Sequence, residues 1–343
     1  MHAPCVRVPT EEGEATRRRL ADADLVAESL DIVVEDGALY VPVTDPDAVP
    51  EEYEIVERDV PERETPTTPA DILGFEPSYG RLGDVVILDE DDRARAARIA
   101  DAIVESNVRA ETVVNRASKV KGETRVRDWD VLVGESTETV HREYGCEFAL
   151  DIAEVYFSPR LATERHRVVQ QVEAGERAFD MFAGVGPYAI PMAKAGAEVV
   201  ATDINEAAID YLRENAERND VTDRITATAG TCETSSRARH GRSEVTEVRD
   251  LAADYEGWAE RLVMNLPHTA NEFLDAAVRL AGDECVLHYY DIQHESERYA
   301  PGEAAIRAAA EPAYDVTVET RHTVRSYAPH EYNVCLDVGL TRR

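Results

Sequence analysis

The chain has 343 residues, 69 of them acidic and 37 basic for a net charge of −32, yet 43% are hydrophobic, so it is long enough for two or three domains with proper cores and is no disulfide-stapled miniprotein. Five scattered cysteines with no C-x-x-C pair argue against a disulfide framework and a zinc site, and no metal is expected. Three lysines (Lys119, Lys121, Lys194) stand among the basic residues and the rest are arginine; compact hydrated carboxylates keep a surface dispersed when molar salt screens charge to about 3 Å, which points to the cytoplasm of a halophile.

In chain order, residues 1–57 read as a small α/β domain, with a strand at 5–8, a helix at 11–20, and strands at 31–34 and 38–41 turned by Asp36-Gly37. The opening lacks the apolar run of a signal peptide and no stretch is long and apolar enough to span a bilayer, so a soluble chain with no membrane partner is expected. Three prolines and several charges over 58–73 predict a linker. Residues 74–150 mix strands at 84–88, 112–115 and 131–134 with a helix over 92–104, an α+β domain. From 151 to 343 strands alternate with helices: strand 177–181, a helix from about 187, strand 198–202, helix 206–219, then strands at 225–229, 262–264 and 285–290. Such alternation makes a parallel sheet covered on both faces. The last strands, 314–320 and 332–340, have no helix-length segment between them and should pair antiparallel at one edge. The layout is that of a class I (Rossmann-like) methyltransferase domain, seven strands ending in a hairpin. The polar stretch 232–258 is longer than its connection needs and reads as a surface insertion.

Four motifs carry chemistry. Asp180-Met-Phe-Ala-Gly184-Val-Gly186-Pro187 stands where a strand turns into a helix: the glycines let backbone approach a ligand, and Asp203, 17 residues after Gly186, can accept both hydroxyls of a ribose. The glycines alone would also suit a nicotinamide dinucleotide; Asp180, well placed for the amino group of a methionine moiety, and the terminal hairpin speak against it. Asn265-Leu266-Pro267-His268 ends the fourth strand of this sheet, where Asn265 offers a donor and an acceptor to a planar base and Pro267 stiffens the loop. Taken alone, it is also an ordinary strand-ending turn. The stretch 109–127 holds Arg109, Arg116, Lys119, Lys121, Arg125 and Arg127 against Glu111 and Glu123, a cationic strip suited to a phosphate backbone or else a solvated face of internal ion pairs. In Tyr156-Phe-Ser158-Pro159-Arg160-Leu-Ala-Thr-Glu164-Arg165-His-Arg167, Ser158 can cap a helix with Pro159 at its first position. Arg160, Glu164 and Arg167 then share a face, for which a salt-bridge ladder is the ordinary reading.

Together the segments KGETRVRDWDVLVGE, VYFSPRLATER, FDMFAGVGPYAIPMA, ATDIN and VMNLPH resemble the archaeal and eukaryotic tRNA (guanine-37-N1)-methyltransferases. CVRVPTEEGE and GDVVIL are similar to that family's N-terminal and middle domains. The resemblance implies an N-terminal domain touching the outer corner of tRNA, a middle domain at the anticodon loop, and a catalytic domain binding S-adenosylmethionine, in a monomer. It further implies Glu164 as general base, Arg125 (rather than Arg127) stabilising the base O6, and Asn265 and Pro267 holding the base. Tyr156 and Arg160 are supporting neighbours, with Arg160 also on the RNA path. Cofactor contacts carried over are Arg165, Phe182, Gly184, Asp203, Ile204 and Asn265, beside Asp180 and Gly186. Where the family has an acidic residue for the adenine amino group this chain reads Ala229-Gly-Thr231-Cys232, so Thr231 or Glu233 would take the role. The rivals are the related aminocarboxypropyltransferase of wybutosine synthesis, then a dehydrogenase or a non-catalytic RNA-binding protein; Asn265-Leu-Pro267 and the complete N-terminal domain favour methyl transfer.

Overall fold

A computed structural model of the chain describes residues 1–63, 66–119, 122, 124–229 and 252–343. They divide into two units, Met1–Ile72 and Leu73–Arg343. In the first, β1 (His2–Pro9), α1 (Gly13–Asp22), β2 (Val33–Glu35), β3 (Ala38–Pro42) and β4 (Glu54–Asp59) form an antiparallel sheet of order β2-β3-β1-β4 with a single helix. The last strand was not legible: Ile55 and Val56 are neighbours set among charges, so no alternation betrays it. It runs into the expected linker, where Val60 is buried and Leu30 bridges Glu62. The linker also holds a short helix, α2 (Pro69–Leu73), begun by a reciprocal cap in which Thr68 N–H donates to Asp71 (2.8 Å) and Asp71 N–H to the Thr68 hydroxyl (3.3 Å).

The second unit opens with β5 (Tyr79–Leu82), β6 (Val85–Leu88), α3 (Arg93–Glu105), β7 (Thr112–Arg116) and β8 (Trp129–Val133), a sheet in that strand order. Asp92 caps α3 through the amides of Ala94 and Arg95, and the helix buries Ala96, Ile99, Ala100 and Ile103. A hairpin follows, β9 (Glu138–Glu143) and β10 (Cys146–Asp151), turned by Tyr144 and Gly145 at positive φ. Its backbone is fastened to helix α6 (Glu206–Arg218) and the residue after it: Asn215 bonds Ala149 N–H (2.7 Å) and C=O (3.1 Å), and Asn219 bonds Glu147 N–H (3.0 Å) and C=O (2.7 Å). The boundary expected at 150 thus falls after a hairpin that packs with the third region.

The seven-stranded sheet of this unit comprises β11 (Arg177–Asp180), β12 (Glu198–Asp203), β13 (Ile225–Ala229), β14 (Ala259–Met264), β15 (Ala281–His294), β16 (Tyr314–Ala328) and β17 (Glu331–Arg342). Its order is β13-β12-β11-β14-β15-β17-β16, parallel except for the terminal β16-β17 hairpin, as the strand pattern predicted. Helices α4 (Ala162–Val169), α5 (Ala189–Lys194), α6, α7 (Leu274–Leu280) and α8 (Ala300–Ala310) complete the layers. Of the expected insertion, 232–251 lie outside the described residues. Its end is anchored at the surface: Ala253, Asp254 and Glu256 are exposed, while Ala252 is fully buried and Tyr255 packs edge-on against Phe179 and Trp258. Cys5, Cys146, Cys285 and Cys335 are free and buried.

Candidate functional site

The reversal of strand order between β11 and β14 opens a crevice at the carboxyl ends of these strands, the usual ligand position in such sheets. Asp180 sits there, wholly buried, with Oδ1 accepting Phe182 N–H at 3.4 Å and Oδ2 without a hydrogen-bond partner among the described residues. Burial, with Asp203 nearby, raises its carboxyl to about 7. An orphaned carboxylate oxygen in a low-dielectric pocket asks for a cation, and an α-ammonium fits it. Gly184 lies at φ +53° and donates to Asp203 Oδ2 at 2.7 Å, while Asp203 Oδ1 accepts Asn205 N–H at 2.9 Å. Each Asp203 oxygen keeps a lone pair for a vicinal diol, and burial raises this carboxyl too. At Gly186, φ +92°, a Cβ would come 2.8 Å from Ile190 and 3.2 Å from Leu212. Helix α5 begins at Ala189, two residues after the expected Pro187, and Asn215 Nδ2 donates to Val185 C=O at 3.0 Å to hold the loop. Ile204 is half-buried beside Asp203, and Phe182 packs edge-on to Phe273. Thr231 and Glu233 lie outside the described residues.

Glu164 is 4% exposed. Arg167 donates to both its oxygens at 2.8 Å, Tyr290 donates to Oε1 at 2.8 Å, and His322 Nε2 lies 3.2 Å from Oε2. One link of the expected ladder, Glu164–Arg167, therefore exists, but as a buried pair continued inward by Asp337, which accepts from Arg167 at 2.5 and 3.0 Å. Arg160 stands apart and exposed. Ser158 makes no side-chain cap: Pro159 opens a 3₁₀ turn, Pro159–Leu161, ahead of α4, and the Ser158 carbonyl is taken by Arg165 at 3.1 Å. Arg165, expected against the cofactor, spends its guanidinium on that carbonyl and on a buried fork to Glu143 at 2.6 Å twice.

On the outer side, Tyr156 joins two regions. Its carbonyl lies 3.9 Å from where a Gly184 Cβ would be, and its ring carries the Arg125 guanidinium 5.1 Å from the centroid. Arg125 sits at φ +56° with Nε buried and without a partner among the described residues. Asn265 and Pro267 follow β14; the Pro267 carbonyl accepts Ile292 N–H at 3.1 Å, and the Asn265 carboxamide has no partner among the described residues. Partial burial, and after it the Arg125 cation, lower the His268 imidazole below its ordinary value. Of the cationic strip, Arg116, Arg125 and Arg127 meet around one cavity with Arg160, whereas exposed Arg109 and Lys119 do not line it and Lys121 lies outside the described residues. Tyr290, Tyr188, Asp337 and His322 were missed because three strands and a loop bring them to Glu164 from 24 to 173 positions away in sequence. Among the described residues, His288, Cys335 and Asp337 gather donor atoms, but Arg261 and Arg167 already occupy His288 Nε2 and Asp337, leaving no place for a metal cation.

The profile of the TRM5/TYW2 methyltransferase domain matches residues 139–319, that of the tRNA methyltransferase 5 N-terminal domain residues 5–51, and that of the TYW2 N-terminal domain residues 66–137. The chain is 37% identical over 97% of its length and 97% of the relative's to the tRNA (guanine(37)-N(1))-methyltransferase Trm5b of Pyrococcus abyssi. It is 30% identical to the tRNA(Phe) (4-demethylwyosine(37)-C(7)) aminocarboxypropyltransferase of Pyrococcus horikoshii, over 75% of this chain and 87% of that one. A solved complex of aTrm5 and tRNALeu superposes with TM-score 0.68 at 29% identity, covering 98% of this chain and 99% of that one.

Proposed function

Because this chain belongs to the TRM5/TYW2 methyltransferase family, we propose that Glu164 is the base, and Arg125 the oxyanion partner, of its reaction. The enzyme transfers a methyl group from S-adenosylmethionine to N1 of guanosine 37 in tRNA. The match to the N-terminal domain of the methyltransferases, and the greater coverage by them, favour methyl over aminocarboxypropyl transfer.

In neutral guanine N1 bears a proton and its lone pair is delocalised, so alkylation there needs the proton removed as charge grows toward O6. The carrying observation is Glu164: a carboxylate out of bulk water, fixed by Arg167 and Tyr290, neither of which can accept its proton. His322, with a side chain 39% exposed, gives that proton a way to solvent. Arg125, its Nε unspent, stabilises O6; Asn265 and the Pro267 loop hold the base, and Tyr156 stacks beneath the arginine. Asp180 holds the methionine ammonium and Asp203 the ribose, with Gly184, Gly186, Phe182 and Ile204 shaping the cradle; Arg165 acts at one remove, tying Ser158 to Glu143. S-adenosylmethionine, when bound, supplies the activated methyl group. The N-terminal unit takes the outer corner of the tRNA, and the monomer works in a salt-rich cytoplasm; sedimentation tests the monomer, and melting that rises with KCl tests the salt.

The test is methylation in molar KCl of tRNA transcripts with guanosine or adenosine at position 37. Label on the guanosine transcript alone supports the activity. Glu164→Gln should slow single-turnover methylation by about 10²–10⁴-fold with cofactor affinity unchanged; equal loss of both would make Glu164 structural.

A further inference from the structure

A cavity of about 370 Å³ lies between the β5–β8 sheet and the catalytic sheet, lined by six arginines: Arg81, Arg116, Arg125, Arg127, Arg160 and Arg325. Its lining holds one carboxylate, Asp89, and Arg116 takes it. Arg127, Arg160 and Arg325 have no carboxylate partner among the described residues. The Nε atoms of Arg116, Arg125 and Arg325 are buried with no acceptor, three of the six such orphaned side-chain atoms in the described protein, and all three belong to this cavity. Burial and the Arg116 charge both act against Arg127. In a chain of net charge −32, the half-buried guanidiniums of Arg125, Arg127 and Arg325, with no carboxylate partner among the described residues, are costly unless an anion completes them.

The anion that suits several planar forks beside aromatic rings is a phosphodiester next to a base. Trp129 and Tyr156 supply the rings, carrying Arg127 and Arg125 at 5.4 and 5.1 Å. The register of β16 ties this pocket to the reacting base. His322 pairs with Cys335 and Arg325 with Asn333, two apart on β17, because a bulge intervenes between Thr323 and Arg325. The extra residue puts Arg325 on the same face as His322, which touches Glu164. We propose that Arg325, with Arg127 and Arg160, grips a phosphodiester of the RNA strand beside the guanosine presented to Glu164. This rests on the reading of Glu164 above, and it gives Arg325, distant from every motif, a role in substrate binding.

The experiment measures tRNA affinity across a KCl series, S-adenosylmethionine affinity, and single-turnover rate at saturating tRNA, for wild type, Arg325→Gln and Arg325→Lys. Arg325→Gln should weaken tRNA binding about 10- to 100-fold and flatten the slope of log affinity against log salt by about 0.7, the share of one single-strand phosphate. Cofactor affinity and saturated rate should hold within about twofold. Arg325→Lys should keep the slope and recover part of the affinity. Unchanged tRNA affinity and slope in Arg325→Gln would overturn the proposal, as would weakened binding with the wild-type slope or a parallel loss of cofactor affinity. Failure of the Glu164 reading is seen separately, as full-rate methylation by Glu164→Gln, and leaves these binding measurements standing.

Discussion

Tyr290 donates its hydroxyl proton to Glu164 Oε1 at 2.8 Å and itself accepts from Tyr188 at 2.8 Å, with both tyrosines 1% exposed. Burial raises both phenols well above their ordinary range, so they stay protonated and the chain of donors runs one way, toward the carboxylate. Tyr290→Phe removes that donor without changing shape. It should cost about 1 kcal/mol of stability and, through a less fixed base, lower the single-turnover rate roughly fivefold. Cofactor affinity should not move. Wild-type kinetics in this variant would show that Arg167 alone orients Glu164.

Arg167 bridges two buried carboxylates. Burial works against its charge, but the hydrogen bonds to Glu164 and Asp337 outweigh it and raise its pKa. Asp337 is held far below the usual carboxylate range despite burial, by His288 and Arg167. His288 is itself neutral, lowered chiefly by burial, accepting from Arg261 at Nε2 and donating from Nδ1 to Asp337. Arg167→Met would strand two anions and should lower stability by roughly 3–5 kcal/mol. Adding Glu164→Gln to Arg167→Met should return part of the stability and none of the activity. Additive losses in thermal melting would dissolve the pair.

The parallel strands, the terminal hairpin and the strand–turn–helix loop at Gly184 were legible because each is local: alternation sets the strands, glycines the turn, and Asp203 follows at fixed spacing. Glu164 was legible as a residue but not as an environment. Its spacing to Arg167 suggests a surface ladder, and only the crossing of β15, β16 and β17 behind α4 turns that pair into a buried network with Tyr290, His322 and Asp337. Arg325 was invisible for a different reason, since its face depends on a bulge that no side-chain pattern announces. Arg165 shows the converse: it sits inside a recognisable motif, yet Glu143, on a hairpin read as part of another domain, claims its guanidinium.

Gly186 is required twice over. Its φ of +92° is open to glycine, and a methyl group there would meet Ile190 and Leu212 at 2.8 and 3.2 Å. Gly186→Ala should therefore destabilise by about 1–3 kcal/mol and displace the loop that carries Gly184. Melting should fall and cofactor affinity with it, whereas tRNA affinity measured without cofactor should hold. A variant with wild-type cofactor affinity would mean the loop does not touch the ligand.

The ammonium site proposed at Asp180 predicts that cofactor binding is linked to a proton. Burial, with help from Asp203, lifts the Asp180 carboxyl to about 7, far above the roughly 3.9 of an unfolded aspartate. Between those two values the folded protein holds a proton that the unfolded chain has released, so this group lowers stability as pH climbs through the window, and the loss is complete above about 7. An ammonium against the orphaned Oδ2 favours the carboxylate instead. Binding below pH 7 must then expel the proton, and affinity for S-adenosylmethionine should fall toward tenfold per pH unit on the acid side. Calorimetry at about pH 6, in two buffers of different ionisation enthalpy, should show close to one proton released per cofactor bound. Asp180→Asn should bind weakly, with no proton released and affinity flat in pH. Affinity in the wild type that is constant across this range would remove Asp180 from the ammonium site.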